Sequence, residues 1–530
     1  MSLQWQLSRE VPEDTAHIGC QLLPEDNLYR QIGDRFNDLF PDESVFVCLY
    51  AKTGRGAIPP LLMALVTVLQ MLEKVPDRLA AEWVVSRLDW KYALHLPLTY
   101  AGFHFTDLSA FRQRLLEHGQ ERQMFDLVIS RLRELGLFKP RGKMRTDSTH
   151  LLGVVRRLSQ LELVTESMRV VLGAITAVAP EWVSQALPAV FVERYERRQS
   201  EYGLSADEVR QALLQVGSDG HWFVAQIDQA ASVVLRQLPE VEVLRTVLRQ
   251  QFPPGGGGGP AAKRPTGRSV IESPHEPEAR YATKRGQNWV GYKVQGTETC
   301  DEDYPHLITD LEVTGALDND SPELPKIQAR LDKQRTMPGE QQVDQGYMSG
   351  QNLVDSAARG INLMGVPLAD TQGPPGFRQA DFQVDEEARK ATCPAGQSSV
   401  VWSECQRSGY SAPSVLIRFE AQTCQCCPYF GRCTTSLHGR SLTLHPHRAA
   451  LSARRAEAQT EAFRQRLHLR AGSEATISEL VRGHRLRWAR YRRQAKVRLQ
   501  AYFTAVAVNL KRLVRWWVQA RLQEVTRAVS

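Results

Sequence analysis

The sequence predicts a mixed α/β protein, in which a sheet with a helical insertion lies between an all-helical N-terminal region and a basic helical C-terminal region. Three observations predict it. Apolar residues recur every three or four positions from about residue 20 to 140, β-type alternation marks 143–153 and 289–317, and helical periodicity returns after residue 440. Strands that alternate with helices up to about residue 390 are typical of a sheet covered by helices.

Composition restricts the class of protein. The chain has 530 residues, of which 42% are hydrophobic and 24% charged, as in ordinary globular proteins. Its apolar runs are shorter than a membrane span requires, and its start, MSLQWQLSREVPED, lacks the pattern of a secretory signal. We therefore expect a cytoplasmic protein with no membrane partner. Nine cysteines in a chain of this length do not indicate a disulfide scaffold.

The element patterns divide the chain into segments. The N-terminal helical region is expected either to bind DNA or to serve in packing or dimerisation. Five consecutive glycines between Pro253 and Pro260 cannot hold regular structure and predict a linker. The segments are 1–140, the helical N-terminal domain; 141–250, the first strand and the helical insertion; 251–268, the Gly/Pro linker; 269–390, the core strands and helices; 391–440, the Cys-rich insertion; and 441–530, the helix that carries Glu474 and the basic C-terminal helices.

Positive charge is concentrated at the C-terminal end. The chain carries a net charge of +7, yet residues 440–530 contain 20 Lys and Arg against 5 Glu, so this part alone carries +15. The stretch RLRWARYRRQAKVRLQAYF places Trp and Tyr among the arginines. A solvated helical face is one interpretation. The mixture of arginine and aromatic residues favours a polyanion partner, because Arg neutralises phosphates while its stem and the rings pack.

Three acidic residues occupy distinct settings. Asp147 lies inside a predicted strand, Asp344 follows a short apolar run, and Glu474 lies at the start of a helix. Each alone is more simply a cap or a surface acid. Together they fit a split site for Mg²⁺, because this ion binds through one or two carboxylates and keeps room for water and phosphate oxygens.

Several motifs follow one another in a specific order. They are GRGAIPPLLMALVTVLQ, RTDSTHL, WVGYKVQGTETC, DQGYMSG, CPAG, CQCCPYFGRC and RAGSEATISELVRGHRLRWARYRRQAKVRLQAYFTAVAVNLKRL. In this order they resemble bacterial insertion-sequence transposases of the DDE type, in the group numbered eleven-eighty-two. The resemblance covers nearly the whole chain and implies an RNase H-like catalytic domain.

The resemblance also implies a site. In such enzymes two aspartates and a glutamate hold the metal ions, which here would be Asp147, Asp344 and Glu474 with two Mg²⁺ (or Mn²⁺) ions. The family's Arg-x-x-x-Glu spacing is met by Arg470 and Glu474. Glu479 is the competing acid, but Ala475 stands at its arginine position.

The implied activity is DNA cleavage and strand transfer at the terminal inverted repeats of the protein's own element. The partners would be double-stranded DNA, both the terminal repeats and the target, and we expect a nucleoid-associated homodimer. Two alternatives remain: a catalytically degenerate DNA-binding protein, and an RNase H-like nuclease without strand transfer. The expected DNA-binding residues are Arg470, Arg482, Arg490, Arg492, Arg493 and Lys496.

The cysteine cluster predicts a second metal site. Cys424-x₂-Cys427 has the ligand spacing of structural Zn²⁺. The resemblance implies that Cys393 and Cys433 complete the set. The alternative is a group of unligated cysteines in a small β-insertion.

Overall fold

The computed structural model describes the chain except residues 1, 4–5, 41–42, 231, 254–264, 266, 268, 285, 407–411 and 530. The predicted Gly/Pro linker at 251–268 falls largely outside the described residues. None of the described helices has the length and apolar character that a membrane crossing needs.

The N-terminal region is helical, as its periodicity predicts. Its helices are α1 (Glu13–Leu22), α2 (Leu28–Asp34), α3 (Phe36–Leu39), α4 (Pro60–Glu73), α5 (Asp77–Ser86), α6 (Leu88–Ala93), α7 (Thr106–Glu117) and α8 (Gln123–Glu134). Helix α4 is buried on all sides from Pro60 to Met71. A helix that is apolar all round lies at the centre of a core rather than on its surface, so α4 is the axis of this region.

A second group of helices has a hydrophobic core of its own. It consists of α9 (Gln160–Val178), α10 (Pro180–Ala186), α11 (Ala189–Glu196), α12 (Ala206–Gln229), α13 (Val233–Arg236) and α14 (Pro239–Gln251). Ser159 and Ser205 begin α9 and α12 with capping boxes, in which the serine side chain and a glutamate three residues later satisfy the first backbone N–H groups. These helices form a separately packed insertion.

The central sheet is mixed. In the described part of the chain it contains β1 (Lys143–Leu152), β2 (Arg280–Lys284), β3 (Gln287–Thr299), β4 (Ile308–Gly315), β5 (Glu340–Val343) and β6 (Asn362–Met364). Strand β3 pairs antiparallel with β1, β2 and β4, whereas β1, β5 and β6 run parallel to one another. Helices α15 (Leu324–Lys333) and α16 (Gly350–Ala358) provide the crossovers to β5 and β6. The predicted mixed α/β class is confirmed.

The remaining elements lie between residue 383 and the C-terminus. Two small antiparallel sheets contain β7 (Gln383–Asp385), β8 (Lys390–Thr392), β9 (Val401–Cys405), β10 (Ser414–Arg418) and β11 (Ser441–Leu444). The helices are α17 (Ala421–Gln425), α18 (Arg448–Glu457), α19 (Glu461–Leu467), α20 (Gly472–Ser478) and α21 (Gln494–Val529), and a π-helical turn, Glu479–Gly483, follows α20.

One hydrophobic core joins both ends of the chain to the sheet. Helix α21 packs against α4, α8 and β4, and its residues from Val497 to Val514 contribute to the same buried cluster as the N-terminal helices. The side chain of Asn509, fully buried, replaces a missing strand neighbour. Its Nδ2 donates to the Ile308 carbonyl oxygen at 2.9 Å, and its Oδ1 accepts from the Ile308 N–H at 2.8 Å. The C-terminal helix is therefore attached to the edge of the sheet.

We predict that Asn509→Leu lowers the free energy of unfolding by about 2–4 kcal/mol, because both backbone groups of Ile308 lose their partners in the core. Urea denaturation of the full chain measures the change. Gln519→Leu, the same kind of replacement at an exposed position of α21, is the control and is expected to shift stability by less than about 0.5 kcal/mol. Equal midpoints for the two variants would contradict the role of Asn509.

Candidate functional site

Asp147 and Asp344 occupy equivalent positions on neighbouring strands. Parallel pairing of β1 with β5 places Thr146 opposite Val343, and each aspartate is the next residue. Neighbouring strands lie about 4.8 Å apart, so the two carboxylates lie close together at the same level of the sheet. Asp344 is exposed and directly follows the last residue of β5. Its Oδ1 accepts from the Gln345 N–H at 2.7 Å.

A buried polar network holds the two strands in register beneath the aspartates. Thr146 Oγ1 lies 2.8 Å from Thr297 Oγ1 on β3 and accepts from Gln341 Nε2 on β5 at 2.9 Å. Gln328 of α15 then donates to Gln341 Oε1 at 3.0 Å. Because buried polar groups need hydrogen-bond partners, this network fixes β3, β1 and β5 relative to one another.

The Asp147 carboxylate is largely buried, with 16% of its side chain exposed. Its Oδ1 accepts from the Ser148 N–H at 2.7 Å, while Oδ2 accepts from Ser473 Oγ at 3.1 Å and Arg470 Nη1 at 3.4 Å. Burial raises the pKa of Asp147 above its ordinary value, and the charge of Asp344 adds to the rise, whereas the Ser148, Ser473 and Arg470 contacts oppose it. Two carboxylates close together on a partly desolvated surface form an unfavourable pair without a cation.

Glu474 lies in the first turn of α20, beside the residues that reach Asp147. It directly follows Ser473 and is four residues after Arg470. Both of these residues contact Asp147 of β1, and residues four apart in a helical segment are neighbours on its surface, so Glu474 lies next to the surface that contacts β1. Its side chain is exposed. As the side chains stand, no three metal-ligating groups among the described residues are arranged to hold an ion. The structure thus brings the two aspartates together and places the helix of Glu474 against them.

Glu479, the competing acid, is engaged elsewhere. Its carboxylate binds Lys511 Nζ and Arg512 Nε of α21, both at 2.9 Å. Burial alone would raise the pKa of Glu479, but the charges of Arg512 and Lys511 lower it below its ordinary value. Glu479 therefore attaches the π-helical turn to the last helix, and this role favours Glu474 as the third acid.

Glu298 of β3 holds the segment around α20 in place, a contact that sequence reasoning missed. Its buried carboxylate accepts from Arg145 Nε at 2.6 Å, Thr476 Oγ1 at 2.5 Å and Arg512 Nη1 at 2.6 Å. Arg145 also donates to the Leu469 carbonyl oxygen at 2.8 Å. One carboxylate thereby joins β1, α20 and α21 behind the aspartates.

A further acid lies near the Asp344 loop. Asp320 accepts from Lys293 Nζ and Gln295 Nε2, both at 3.0 Å, and the buried hydroxyl of Tyr347 donates to Gln295 Oε1. Burial raises the pKa of Tyr347 well above its usual range, and the charges of Asp320 and Asp147 contribute. Asp320 is therefore paired with side chains of β3, and sequence reasoning missed this network.

The basic residues expected to contact DNA separate into two groups. Arg482, Arg492, Arg493 and Lys496 are exposed. Arg490 differs, because its guanidinium donates to the carbonyl oxygen of Val75, just after α4, at 2.5 Å. This contact packs Arg490 between the C-terminal region and the N-terminal helices, and its expected contact with DNA stays a prediction.

The four predicted zinc ligands line one cavity of about 80 Å³ in the Cys-rich segment. Cys393, Cys424, Cys427 and Cys433 all face it. Backbone N–H groups point at two of the sulfurs, that of Gln397 at Cys393 Sγ (3.3 Å) and that of Arg440 at Cys424 Sγ (3.5 Å). Burial raises the pKa of the Cys433 thiol, and the other three cysteines add to the rise.

Comparison with protein families gave matches at the two ends of the chain. Residues 392–514 match the transposase DDE domain, and residues 20–114 match the transposase domain (DUF772). Comparison with curated proteins and with solved structures gave no match. Both matches are consistent with an insertion-sequence DDE transposase.

We predict that Glu298→Gln releases α20 from the sheet at a cost of about 3–5 kcal/mol, because the buried Arg145 loses its charged partner and Arg512 keeps only Glu479. Hydrogen exchange of residues 469–480 is expected to accelerate. Glu312→Gln, which weakens a different ion pair with Arg498 on the same sheet, is the control and should leave exchange in this segment unchanged. Protection of 469–480 that survives Glu298→Gln would contradict the role of this carboxylate.

Proposed function

We propose that the chain catalyses divalent-metal-dependent DNA cleavage and strand transfer at the terminal inverted repeats of its own insertion sequence. The observation that carries the proposal is the placement of Asp147 and Asp344 side by side on β1 and β5, with α20 held against Asp147. The spatial order β4-β3-β1-β5-β6, with β3 antiparallel to β1, supports an RNase H-like catalytic domain.

Asp147, Asp344 and Glu474 would hold the Mg²⁺ or Mn²⁺ ions. The donor set fits: the charge of Asp344 raises the pKa of Asp147, and a divalent cation removes this repulsion. Such ions activate a water molecule or a 3′ hydroxyl for in-line attack on a phosphodiester and stabilise the leaving oxygen.

The chain's own groups orient this site. Ser473 and Arg470 fix the Asp147 carboxylate from α20 and the turn before it. The guanidinium of Arg470 has further donors, which suit a phosphate oxygen next to the cleaved bond. Arg482, Arg492, Arg493 and Lys496 would neutralise phosphates along the bound duplex. A homodimer would hold the two ends of the element together during the reaction.

We also propose that the cavity of the Cys-rich segment binds one structural Zn²⁺ through Cys393, Cys424, Cys427 and Cys433. Four cysteines line one small cavity, and four thiolates are a ligand set of structural Zn²⁺. Because the sulfurs are not arranged as a closed site among the described residues, binding of the ion would draw them together. The N–H groups of Gln397 and Arg440 that point at sulfur are suited to stabilise thiolates.

A DNA cleavage assay tests the proposed metal-binding acids. We predict that Asp147→Ala, Asp344→Ala and Glu474→Gln each lower the rate more than about 100-fold with Mg²⁺ and a duplex bearing the element's ends, because loss of a metal ligand exceeds the 10- to 100-fold effect of its outer partners. Glu479→Gln is the control and is expected to retain metal-dependent cleavage.

Other outcomes of the cleavage assay distinguish the alternatives. Loss of cleavage in Glu479→Gln but not in Glu474→Gln would overturn the choice of the third acid. A wild-type protein that cuts without joining ends would be a nuclease, and one that binds without cutting would be a degenerate DNA-binding protein.

The zinc proposal is tested by metal analysis. Purified full-length protein is expected to contain one zinc per chain, and Cys427→Ser or Cys433→Ser should lose it, because each removes a ligand. The neighbouring Cys426 is exposed and does not line the cavity, so Cys426→Ser is the matched control and should retain zinc. Equal zinc content in all variants would refute the ligand set.

A further inference from the structure

Trp488 presents its indole ring to solvent from a rigid backbone. Trp488 is 62% exposed, which is unusual for a tryptophan in a folded region. The backbone on both sides of it pairs in parallel with the end of β1: the Leu152 N–H donates to the Arg487 carbonyl oxygen, and the Ala489 N–H donates to the Leu152 carbonyl oxygen, both at 2.8 Å. Gln500 of α21 also donates to the Trp488 carbonyl oxygen at 3.0 Å.

The surroundings of this ring are positively charged. Arg482, Arg485 and Arg492 are exposed and pair with no carboxylate among the described residues. Arg487 donates to Thr149 Oγ1 of β1 at 3.2 Å. Burial lowers the pKa of Arg487 below its ordinary value, and the charge of Arg482 lowers it further. An aromatic face among uncompensated guanidinium groups is the chemistry that binds a nucleic acid strand, through base stacking and phosphate contacts.

The position of the ring relates it to the candidate active site. Trp488 is paired with Leu152, the last residue of β1, and Asp147 lies five residues earlier on the same strand. At about 3.3 Å per residue the two positions are about 17 Å apart along β1. This span equals about five stacked nucleotides at 3.4 Å per step. Side chains alternate along a strand, so the pairing with Leu152 turns the ring to the face of β1 opposite Asp147, and DNA that reaches both places passes around the end of β1.

We propose that Trp488 stacks on an unpaired nucleobase of DNA that passes the end of β1, while Arg482, Arg485 and Arg492 contact its phosphates. The ligand is an unpaired or terminal base because bases inside a duplex have no free face. The inference rests on the proposed function only in that it places DNA next to β1.

The test measures binding of full-length protein in an Asp147→Ala background, without divalent metal, to a labelled oligothymidylate and to a blunt duplex of equal length. Trp488→Ala is expected to weaken single-strand binding about 5- to 100-fold, because stacking contributes about 1–3 kcal/mol per base. Trp488→Phe should restore most of the affinity. Duplex affinity should change less than about twofold, and Arg492→Ala should instead weaken both ligands and reduce the salt dependence.

Trp222→Ala is the matched control, because Trp222 is also exposed (36%) but lies in the helical insertion against Phe191. It should bind both DNAs as the parent protein does. Three results would overturn the proposal: unchanged single-strand affinity in Trp488→Ala, equal loss for both DNAs, or reduced self-association with DNA binding intact. Absence of cleavage by the wild-type protein would refute the proposed function but leave this binding difference in place.

Discussion

The buried carboxylate of Glu298 is the contact on which the arrangement of the site depends. It joins Arg145 of β1 to Thr476 of α20 and Arg512 of α21, two helices that follow β1 by more than 300 residues. A buried carboxylate with one cationic partner missing is costly, so all three elements must be in place together. Their assembly places Ser473 and Arg470 against Asp147, and Glu474 beside them.

The same requirement explains why the two ends of the chain share one core. Helix α21 is packed between the N-terminal helices and β4, and Asn509 bonds it to the sheet edge. The family matches lie at these two ends, over residues 20–114 and 392–514. Asp147 and Asp344 lie between the matched regions, on the strands that the two ends enclose. The N-terminal helices therefore contribute to holding the site.

Local patterns in the sequence were sufficient to predict the mixed α/β class, the strand structure within 289–317 and the strand around Asp147. Strand and helix periodicity are properties of neighbouring residues. They were not sufficient for contacts between distant residues. Glu298 and Arg512 are 214 residues apart, and nothing local marks them as partners. Arg490 has the same local setting as Arg492, yet its guanidinium binds Val75. The choice of Glu474 from its spacing to Arg470 stays a prediction, which the ion pairs of Glu479 favour.

The central claim is that Asp147, Asp344 and Glu474 bind the same metal ions. Iron-directed backbone cleavage tests it most directly: Fe²⁺ takes the place of Mg²⁺, peroxide and ascorbate generate radicals at the bound ion, and mass spectrometry locates the cuts. The account predicts cuts next to all three residues, which excess Mg²⁺ suppresses together. Cuts near Asp147 and Asp344 with none between residues 470 and 478, or cuts that Mg²⁺ does not suppress, would contradict it.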